Sequence, residues 1–151
     1  MEIKLKRVVV EDLNELKEME KACFKELLER YNDGDKNPYN ESLERLKSKI
    51  ENSDYYFIVY DNKNVGAIRI VKMEDNIKKI SPLYVLPEYQ GKGIAQTTLQ
   101  MVEDMYGKED WVLDTILEEK GNCHLYEKMG YKKTGKYKKI SDIETLVYYR
   151  K

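Results

Sequence analysis

A strand, a glycine-bearing loop and a helix follow one another in the middle of the chain, between Ile77 and Tyr106. β-Branched and aromatic residues up to Leu86 favour a strand, and Pro87 ends it because proline has no N–H for a strand ladder. The loop Gln90–Ala95 contains two glycines, which permit a tight turn and let a ligand approach the backbone without meeting a Cβ atom. Beyond the loop, apolar residues recur with the spacing of one helical face and predict a buried stripe. The stripe consists of Ile94, Thr98, Met101, Val102 and Met105.

The loop is suited to binding an anion at the start of the helix. Free backbone amides at a helix N-terminus carry together about half a positive charge, which favours a phosphate or diphosphate. Lys92 adds a side-chain cation. A turn whose glycines serve only backbone geometry is the simpler interpretation of an isolated Gly-x-Gly. An ATPase is disfavoured because the full Gly-x-x-x-x-Gly-Lys-(Ser/Thr) pattern is missing, and a dinucleotide oxidoreductase because no Gly-x-Gly-x-x-Gly unit opens the chain.

Two blocks of the chain resemble the GCN5-related N-acetyltransferases (GNAT). Gln90-x-x-Gly93-x-Ala95 resembles the (Arg/Gln)-x-x-Gly-x-(Gly/Ala) signature of that family, and Leu83–Tyr89 resembles the strand leading into it. Leu125–Tyr131 resembles the helix and the following strand near the C-terminus of the family. The resemblance implies an α/β fold with a mixed, mostly antiparallel central sheet, a parallel splayed strand pair and flanking helices.

Length, charge and residue composition limit the other classes of protein to which the chain could belong. At 151 residues the chain has the size of one domain, so a single domain is expected over residues 1–151. A net charge of -1 gives no bulk nucleic-acid footprint. Residues Met1–Arg7 alternate in polarity, which predicts neither a signal peptide nor a membrane span and makes the cytoplasm the expected location. Cys23 and Cys123 lack a Cys-x-x-Cys spacing and His124 is the single histidine, so no metal site is expected.

The remaining elements follow from hydrophobic periodicity and turn residues. A strand–helix–strand crossover predicts that the strand beginning at Trp111 runs parallel to the strand entering the glycine loop. The predicted elements are an opening strand with Ile3, Leu5 and Val8–Val10, helices on Leu13–Leu27 and Glu41–Asn52, strands on Tyr55–Tyr60, Val65–Met73, Trp111–Leu117, Tyr131–Tyr137 and Ile143–Tyr149, and a last helix ending at Gly130.

The resemblance implies acetyl-CoA as cosubstrate, no metal, and acyl transfer to an amine by direct attack in a ternary complex. The diphosphate would lie on the amides of Gly91–Ala95, with Gln90 bracing the loop. The N–H of Val85 would polarise the thioester carbonyl. The expected cofactor-binding residues are Leu83, Tyr84, Val85, Gln90, Gly91, Lys92, Gly93, Ile94, Ala95 and Asn122.

Tyr126 matches the catalytic tyrosine of the family and would return a proton to the CoA thiolate. A tyrosine pKa of about 10 leaves the phenol neutral at pH 7, so it can act as a donor. An aromatic ring that only packs is the alternative. Asn122 lies one turn before Tyr126, whereas the asparagine of the family that binds the pantetheine arm lies about two turns before, where this chain has Glu119.

A base for the amine and the identity of the acceptor stay open at this level. Glu88, Asp114 and Glu118 lie near the two strand ends and are unranked candidates for the base, each with a solvated surface carboxylate as its alternative.

The acceptor is an amine of a small molecule or of a peptide or protein. In the family, the segment between the first two helices helps to wall its site, which makes Tyr31 and Tyr39 candidates for lining it. The other function considered is a non-catalytic acyl-CoA-binding or regulatory module. A homodimer through the closing strands, with Tyr148 and Tyr149, is compatible with the sequence, and neither a nucleic acid nor a membrane is expected as partner.

Overall fold

The computed structural model describes residues 2–151, so Met1, which opens the alternating segment, lies outside it. Within this range seven strands form one sheet in the order β1-β2-β3-β4-β5-β7-β6, with four α-helices. The elements are β1 (Ile3–Arg7), α1 (Leu13–Tyr31), α2 (Leu43–Asn52), β2 (Asp54–Tyr60), β3 (Lys63–Lys72), β4 (Lys78–Val85), α3 (Ile94–Tyr106), β5 (Trp111–Ile116), α4 (Lys120–Lys128), β6 (Lys132–Lys139) and β7 (Thr145–Arg150). Short 3-10 turns lie at Val10–Asp12, Gly34–Lys36, Pro38–Asn40, Glu74–Asn76 and Pro87–Tyr89.

The strand pairing confirms the predicted mixed sheet. Strands β4 and β5 are parallel, with Lys78 opposite Trp111 and Lys79 opposite Val112. These pairs join the first two residues of each strand, and the splaying of the two strands beyond them stays a prediction. The pairs β1–β2, β2–β3, β5–β7 and β6–β7 are antiparallel.

The chain groups into two compact units. The first comprises the chain up to Ile70 together with Pro82–Ala95, and the second comprises Val71–Ser81 together with Gln96–Lys151. The core of the first unit is built by Val8, Leu16, Met19, Leu46, Ile50, Tyr55, Phe57, Ala67 and Tyr84. Buried residues of the second unit include Leu99, Val102, Trp111, Leu113, Tyr131 and Tyr149. The single-domain organisation over residues 1–151 stays a prediction.

The hairpin between β2 and β3 turns more tightly than predicted. Asp61 and Asn62 both have positive φ, 53° and 60°, as a two-residue type I′ turn requires. Aspartate and asparagine tolerate this conformation better than most residues. Strand β3 therefore begins at Lys63, inside the segment that the sequence assigns to the turn.

Two other predictions need correction. The opening strand ends at Arg7: the Val8 N–H still donates to the carbonyl of Tyr55 at 2.9 Å, but Val10 already begins a 3-10 turn. In α3, Ile94, Thr98 and Val102 are buried as predicted, but Met105, in the last turn, is 53% exposed. Leu99 is fully buried instead, so the buried face of α3 is wider than the predicted stripe.

The closing strands place only one of their two predicted dimer tyrosines near the surface. Tyr149 is buried in the second unit and Tyr148 is half-buried. Neighbouring residues of a strand point to opposite faces, so the two side chains cannot serve one surface together. A homodimer stays a prediction, and Tyr149 does not support it.

Candidate active site

The end of β4 lies unusually close to β3. The N–H of Leu86 donates to the carbonyl of Val65 at 2.8 Å. Because successive N–H groups of an extended chain point to opposite sides, the N–H of Val85 points away from β3. A Cβ atom on Gly66 would lie 2.3 Å from the Tyr84 carbonyl oxygen and 3.0 Å from the Val85 Cα, so only glycine fits at this position. The missing side chain of Gly66 therefore lets β3 approach β4 closely enough to fix the position of the Val85 peptide group.

The loop after β4 is tied back to the strand by its own side chains. The Gln90 amide donates through Nε2 to the Val85 carbonyl oxygen at 3.0 Å. The ring of Tyr89 meets the ring of Tyr60 on β2 edge to face, with 6.2 Å between centroids. The predicted bracing contact of Gln90 is thus present in the structure, while its part in cofactor binding stays a prediction.

The two glycines of the loop use conformations that other residues avoid. Gly91 has φ +76° and Gly93 has φ +81°. Gly91, Lys92 and Gly93 are all exposed, and α3 begins immediately afterwards at Ile94, whose side chain is buried. Exposed loop residues therefore lead directly into the first turn of a 13-residue helix.

Tyr126 lies in an aromatic cluster of the second unit. Its ring centroid is 5.8 Å from that of Tyr131 and 6.2 Å from that of Tyr149, and the residue is 8% exposed. Burial, followed by the charges of Asp114 and Cys123, raises the pKa of the Tyr126 hydroxyl, so it stays protonated at neutral pH. Within residues 2–151 this hydroxyl has no hydrogen-bond partner. Packing accounts for the ring and leaves the hydroxyl unexplained.

Helix α4 carries the predicted site residues Asn122 and Tyr126, and two contacts anchor it in the second unit. The Sγ atom of Cys123 contacts the carbonyl oxygen of Ile116 at 3.7 Å, and the N–H of Tyr131 donates to the Tyr126 carbonyl at 2.9 Å. Asn122 is exposed and precedes Tyr126 by four residues, which places the two side chains one turn apart on the same face. Their roles toward a cofactor stay predictions.

The three candidate bases differ in their contacts. Asp114 pairs with Lys79 at 3.3 Å, and Glu118 accepts the N–H of Thr145 at 2.8 Å. Glu88 is exposed and, in the described part of the chain, makes neither an ion pair nor a hydrogen bond. Burial, then the charges of Glu88 and Glu20, raises the pKa of the Cys23 thiol to about 12, which places the Glu88 carboxylate near α1. Glu88 is the candidate whose carboxylate is free to accept a proton.

The interpretation of the sequence missed one buried acid, Glu20. Glu20 on α1 is only 1% exposed, and burial is the main reason that its pKa rises to about 7. The neighbouring Glu41 raises this pKa further, while the hydrogen bond from Lys17 opposes the rise. Glu20 lies four residues after the buried Leu16, so a charge on the apolar face of an amphipathic helix was the available signal.

Lys17 ties α1 to the segment that precedes α2. Its ammonium donates to Glu20 Oε1 at 2.9 Å and to the carbonyl oxygens of Pro38, Tyr39 and Glu41 at 3.1, 3.0 and 2.6 Å. The Lys21 ammonium lies 5.4 Å from the centroid of the Tyr39 ring. A cavity of about 460 Å³ in this unit is lined by Asn14, Lys17, Glu18, Lys21, Tyr39, Asn40, Glu41 and Leu43. Of the two predicted lining tyrosines, Tyr39 lines the cavity and Tyr31 is buried.

A family model described as Acetyltransferase (GNAT) family matches residues 13–131. The chain belongs to the GNAT acetyltransferase family. The matched range begins at the first residue of α1 and contains the glycine loop, Glu88 and Tyr126.

Several known proteins are similar to the chain. The PaiA N-acetyltransferase from Thermoplasma acidophilum, solved in complex with coenzyme A, has a TM-score of 0.78 and 20% identity over 100% of both chains. PH1933 from Pyrococcus horikoshii OT3 has a TM-score of 0.71 and 25% identity over 99% of both chains. Probable N-acetyltransferase family 8 member 5 from Mus musculus is 39% identical over 69 residues, which are 43% of this chain and 30% of the mouse protein. The match thus spans less than a third of that curated relative.

Among residues 2–151, no group of three or more His, Cys, Asp or Glu side chains is placed to hold a metal ion. None of the helices in this range is both long enough and apolar enough to cross a bilayer.

Replacing Lys17 by methionine is expected to lower the free energy of unfolding by about 2 kcal/mol. The methionine keeps the apolar stem, but the four polar contacts that share the three N–H donors of the ammonium are lost. Glu20 can take up a proton, which limits the cost of losing its cation. Urea denaturation measures the change, with the exposed Lys25→Met as control. Equal stability of the two variants would contradict the assigned role of Lys17.

Proposed function

We propose that this protein transfers the acetyl group of acetyl-CoA to a primary amine by direct attack in a ternary complex. The observation that carries the proposal is the exposed, glycine-bearing loop Gly91–Gly93, which in a GNAT chain follows β4 and leads directly into the start of α3. The similar protein from Thermoplasma acidophilum was crystallised with coenzyme A, which supports the same ligand here.

The first unit supplies the groups that hold and polarise the thioester. The amides from Gly91 to Ala95 take the diphosphate, because they lie at the positive end of α3. The Val85 N–H donates to the thioester oxygen as negative charge develops on it. A fixed donor of this kind is worth about 2.7–4 kcal/mol of transition-state stabilisation.

Two proton transfers accompany the acyl transfer. Glu88 takes one proton from the acceptor ammonium, and the neutral amine then forms a bond to the carbonyl carbon. The C–S bond breaks, the second proton leaves the nitrogen to solvent, and Tyr126 gives its proton to the CoA thiolate and regains one from solvent. Burial raises the pKa of Tyr126 and keeps its phenol neutral at pH 7, so the proton is present when the thiolate forms.

The acceptor is a cation before it loses its proton, which fits a free Glu88 carboxylate at the end of β4. Its source is a small molecule or a peptide or protein amine. A panel that contains a polyamine, a free amino acid and a lysine-bearing peptide separates these sources when acetyl-CoA consumption is measured.

Titration calorimetry with coenzyme A tests the loop assignment. Gly93→Ala is expected to weaken CoA binding about tenfold, because a Cβ atom at φ +81° costs roughly 1–2 kcal/mol and distorts the amides. Gly135→Ala is the matched control: its φ is +91° and a Cβ atom there meets nothing within 4 Å, so the same backbone strain arises outside the loop.

Each outcome of the calorimetry has a distinct meaning. No affinity of the wild type for coenzyme A would overturn the proposal. Affinity without consumption of acetyl-CoA by any amine of the panel would favour the non-catalytic acyl-CoA-binding module instead.

A further inference from the structure

Four charged side chains meet between α1, α2 and the 33–42 segment that joins them. Glu20 and Glu41, called the carboxyl pair below, are both buried. Lys17 Nζ lies 2.9 Å from Glu20 Oε1, and Lys49 Nζ contacts Glu41 Oε2. One lysine comes from each helix, while Glu41 belongs to the connecting segment.

The two carboxyl groups lie close together around Lys17, whose ammonium reaches Glu20 Oε1 at 2.9 Å and the backbone carbonyl oxygen of Glu41 at 2.6 Å. Burial and then the neighbouring Glu41 raise the pKa of Glu20, and two carboxyl groups can form a hydrogen bond only if one of them carries a proton. Glu41 Oε1 is buried and has no hydrogen-bond partner among the described residues. A proton on Glu20 satisfies this oxygen and removes one negative charge from the interior.

We propose that Glu20 and Glu41 share one proton, and that this shared proton fixes the 33–42 segment against α1 and so positions one wall of the acceptor site. Glu20 is a positioning residue in this scheme, since it reaches the segment through Glu41. The assignment of this segment to the acceptor rests on the proposed function. The shared proton itself does not.

Every element packed around the carboxyl pair contributes a titratable or charged group. With one shared proton the pair carries one negative charge, which the two lysines more than balance. A second ionisation would place two carboxylates side by side where little water reaches them, and their repulsion would separate the segment from α1. The facing groups are Lys17 and Cys23 from α1, Lys49 from α2, Tyr55 from β2, Arg69 from β3 and Tyr84 from β4.

The direction of the pH effect follows from the raised pKa of Glu20. The pKa rises from 4.5 to about 7 on folding, so the closed segment binds the proton more tightly than the open one. The contact is therefore strongest below about pH 4.5, weakens as the pH rises from 4.5 to 7, and changes little above 7. Because proton binding and closure are coupled, the equilibrium constant for release of the 33–42 segment from α1 is expected to grow by up to about 100-fold between pH 5 and pH 8.

Hydrogen–deuterium exchange of the 33–42 amides, corrected for the intrinsic pH dependence of exchange, tests this prediction. In the wild type, protection is expected to fall by a factor of roughly 10 to 100 between pH 5 and pH 8. Glu20→Gln keeps a donor to Glu41 at every pH, so its protection should change less than threefold. Glu18→Gln, on an exposed residue of the same helix, should behave as the wild type. A wild type without pH dependence, or a Glu20→Gln variant that retains it, would overturn the proposal.

Carbon-13 NMR of labelled glutamate carboxyls covers the case in which Glu20→Gln does not fold. The wild-type protein should show one carboxyl resonance that titrates near pH 7, against the usual range near 4.3. This resonance should shift in Glu41→Gln and be unchanged in Glu18→Gln. Titration of all carboxyls below pH 5.5 would overturn the shared proton.

These measurements separate the inference from the proposed function. Exchange and carboxyl titration need neither coenzyme A nor an acceptor. If the pair titrates near pH 7 and coenzyme A does not bind, the proposed function alone fails. If turnover is found, the acceptor KM should rise between pH 5 and pH 8 in the wild type but not in Glu20→Gln, while the affinity for coenzyme A is the same in both. A change confined to kcat would contradict a positioning role.

Discussion

Replacing Gly66 by alanine is expected to lower the free energy of unfolding by about 3–5 kcal/mol. The new Cβ atom would lie 2.3 Å from the backbone oxygen of Tyr84 and 3.0 Å from the Val85 Cα. Backbone atoms cannot move aside as the end of a flexible side chain can, so β3 and β4 must separate. The hydrogen bond from Leu86 to Val65 then weakens or breaks.

Denaturant unfolding measures this loss, and Gly121→Ala is its control. A Cβ atom on Gly121, near the start of α4, meets nothing within 4 Å, and alanine is the better helix former by about 1 kcal/mol. The control should therefore be neutral or more stable than the wild type. A Gly66→Ala protein within 1 kcal/mol of the wild type would show that the two strands are not held as closely as described.

The same substitution has a functional consequence if the proposed mechanism holds. Separation of β3 from β4 moves the Val85 N–H, and a donor displaced by 1 Å no longer meets the developing oxyanion. Any folded Gly66→Ala protein should thus lose turnover by a larger factor than it loses affinity for coenzyme A. Equal losses of both would indicate that the loop, and not the Val85 donor, is disturbed.

Replacing Tyr126 by phenylalanine is expected to lower kcat by about 100-fold and to leave coenzyme A affinity unchanged. The ring contacts with Tyr131 and Tyr149 are kept, and the lost hydroxyl has no partner among the described side chains. The free energy of unfolding should therefore change by less than about 1 kcal/mol. Steady-state kinetics across the pH range, beside urea denaturation, separates a proton donor from an aromatic that only packs.

Tyr131→Phe is the matched control for this experiment. Its hydroxyl is buried in the same aromatic cluster and also lacks a partner among residues 2–151, but no part in proton transfer is assigned to it. Its kcat should equal that of the wild type. A Tyr126→Phe enzyme with unchanged kcat at every pH would remove the acid role, and equal losses in both variants would point to packing.

The contacts of Glu88, Asp114 and Glu118 in the folded chain rank these three candidate bases, which the sequence leaves unranked. Asp114 and Glu118 stand as near to strand ends as Glu88 does, and all three are acidic residues in polar surroundings. The ion pair of Asp114 with Lys79 spans 35 positions of the chain, and the bond of Glu118 to Thr145 spans 27. Such pairings depend on how distant elements meet, so local sequence does not reveal them.

The amino-acid sequence alone determined the strand, glycine loop and helix from Lys78 to Tyr106, the family, and most element positions. These features depend on local patterns: the period of apolar residues, a proline stop, and glycines at positive φ. Only the tertiary structure decided that Glu20 is buried beside Glu41 and that Gly66 touches Val85. Both arise between elements far apart in sequence, where the partner of a residue depends on strand register and helix packing, which no local pattern encodes.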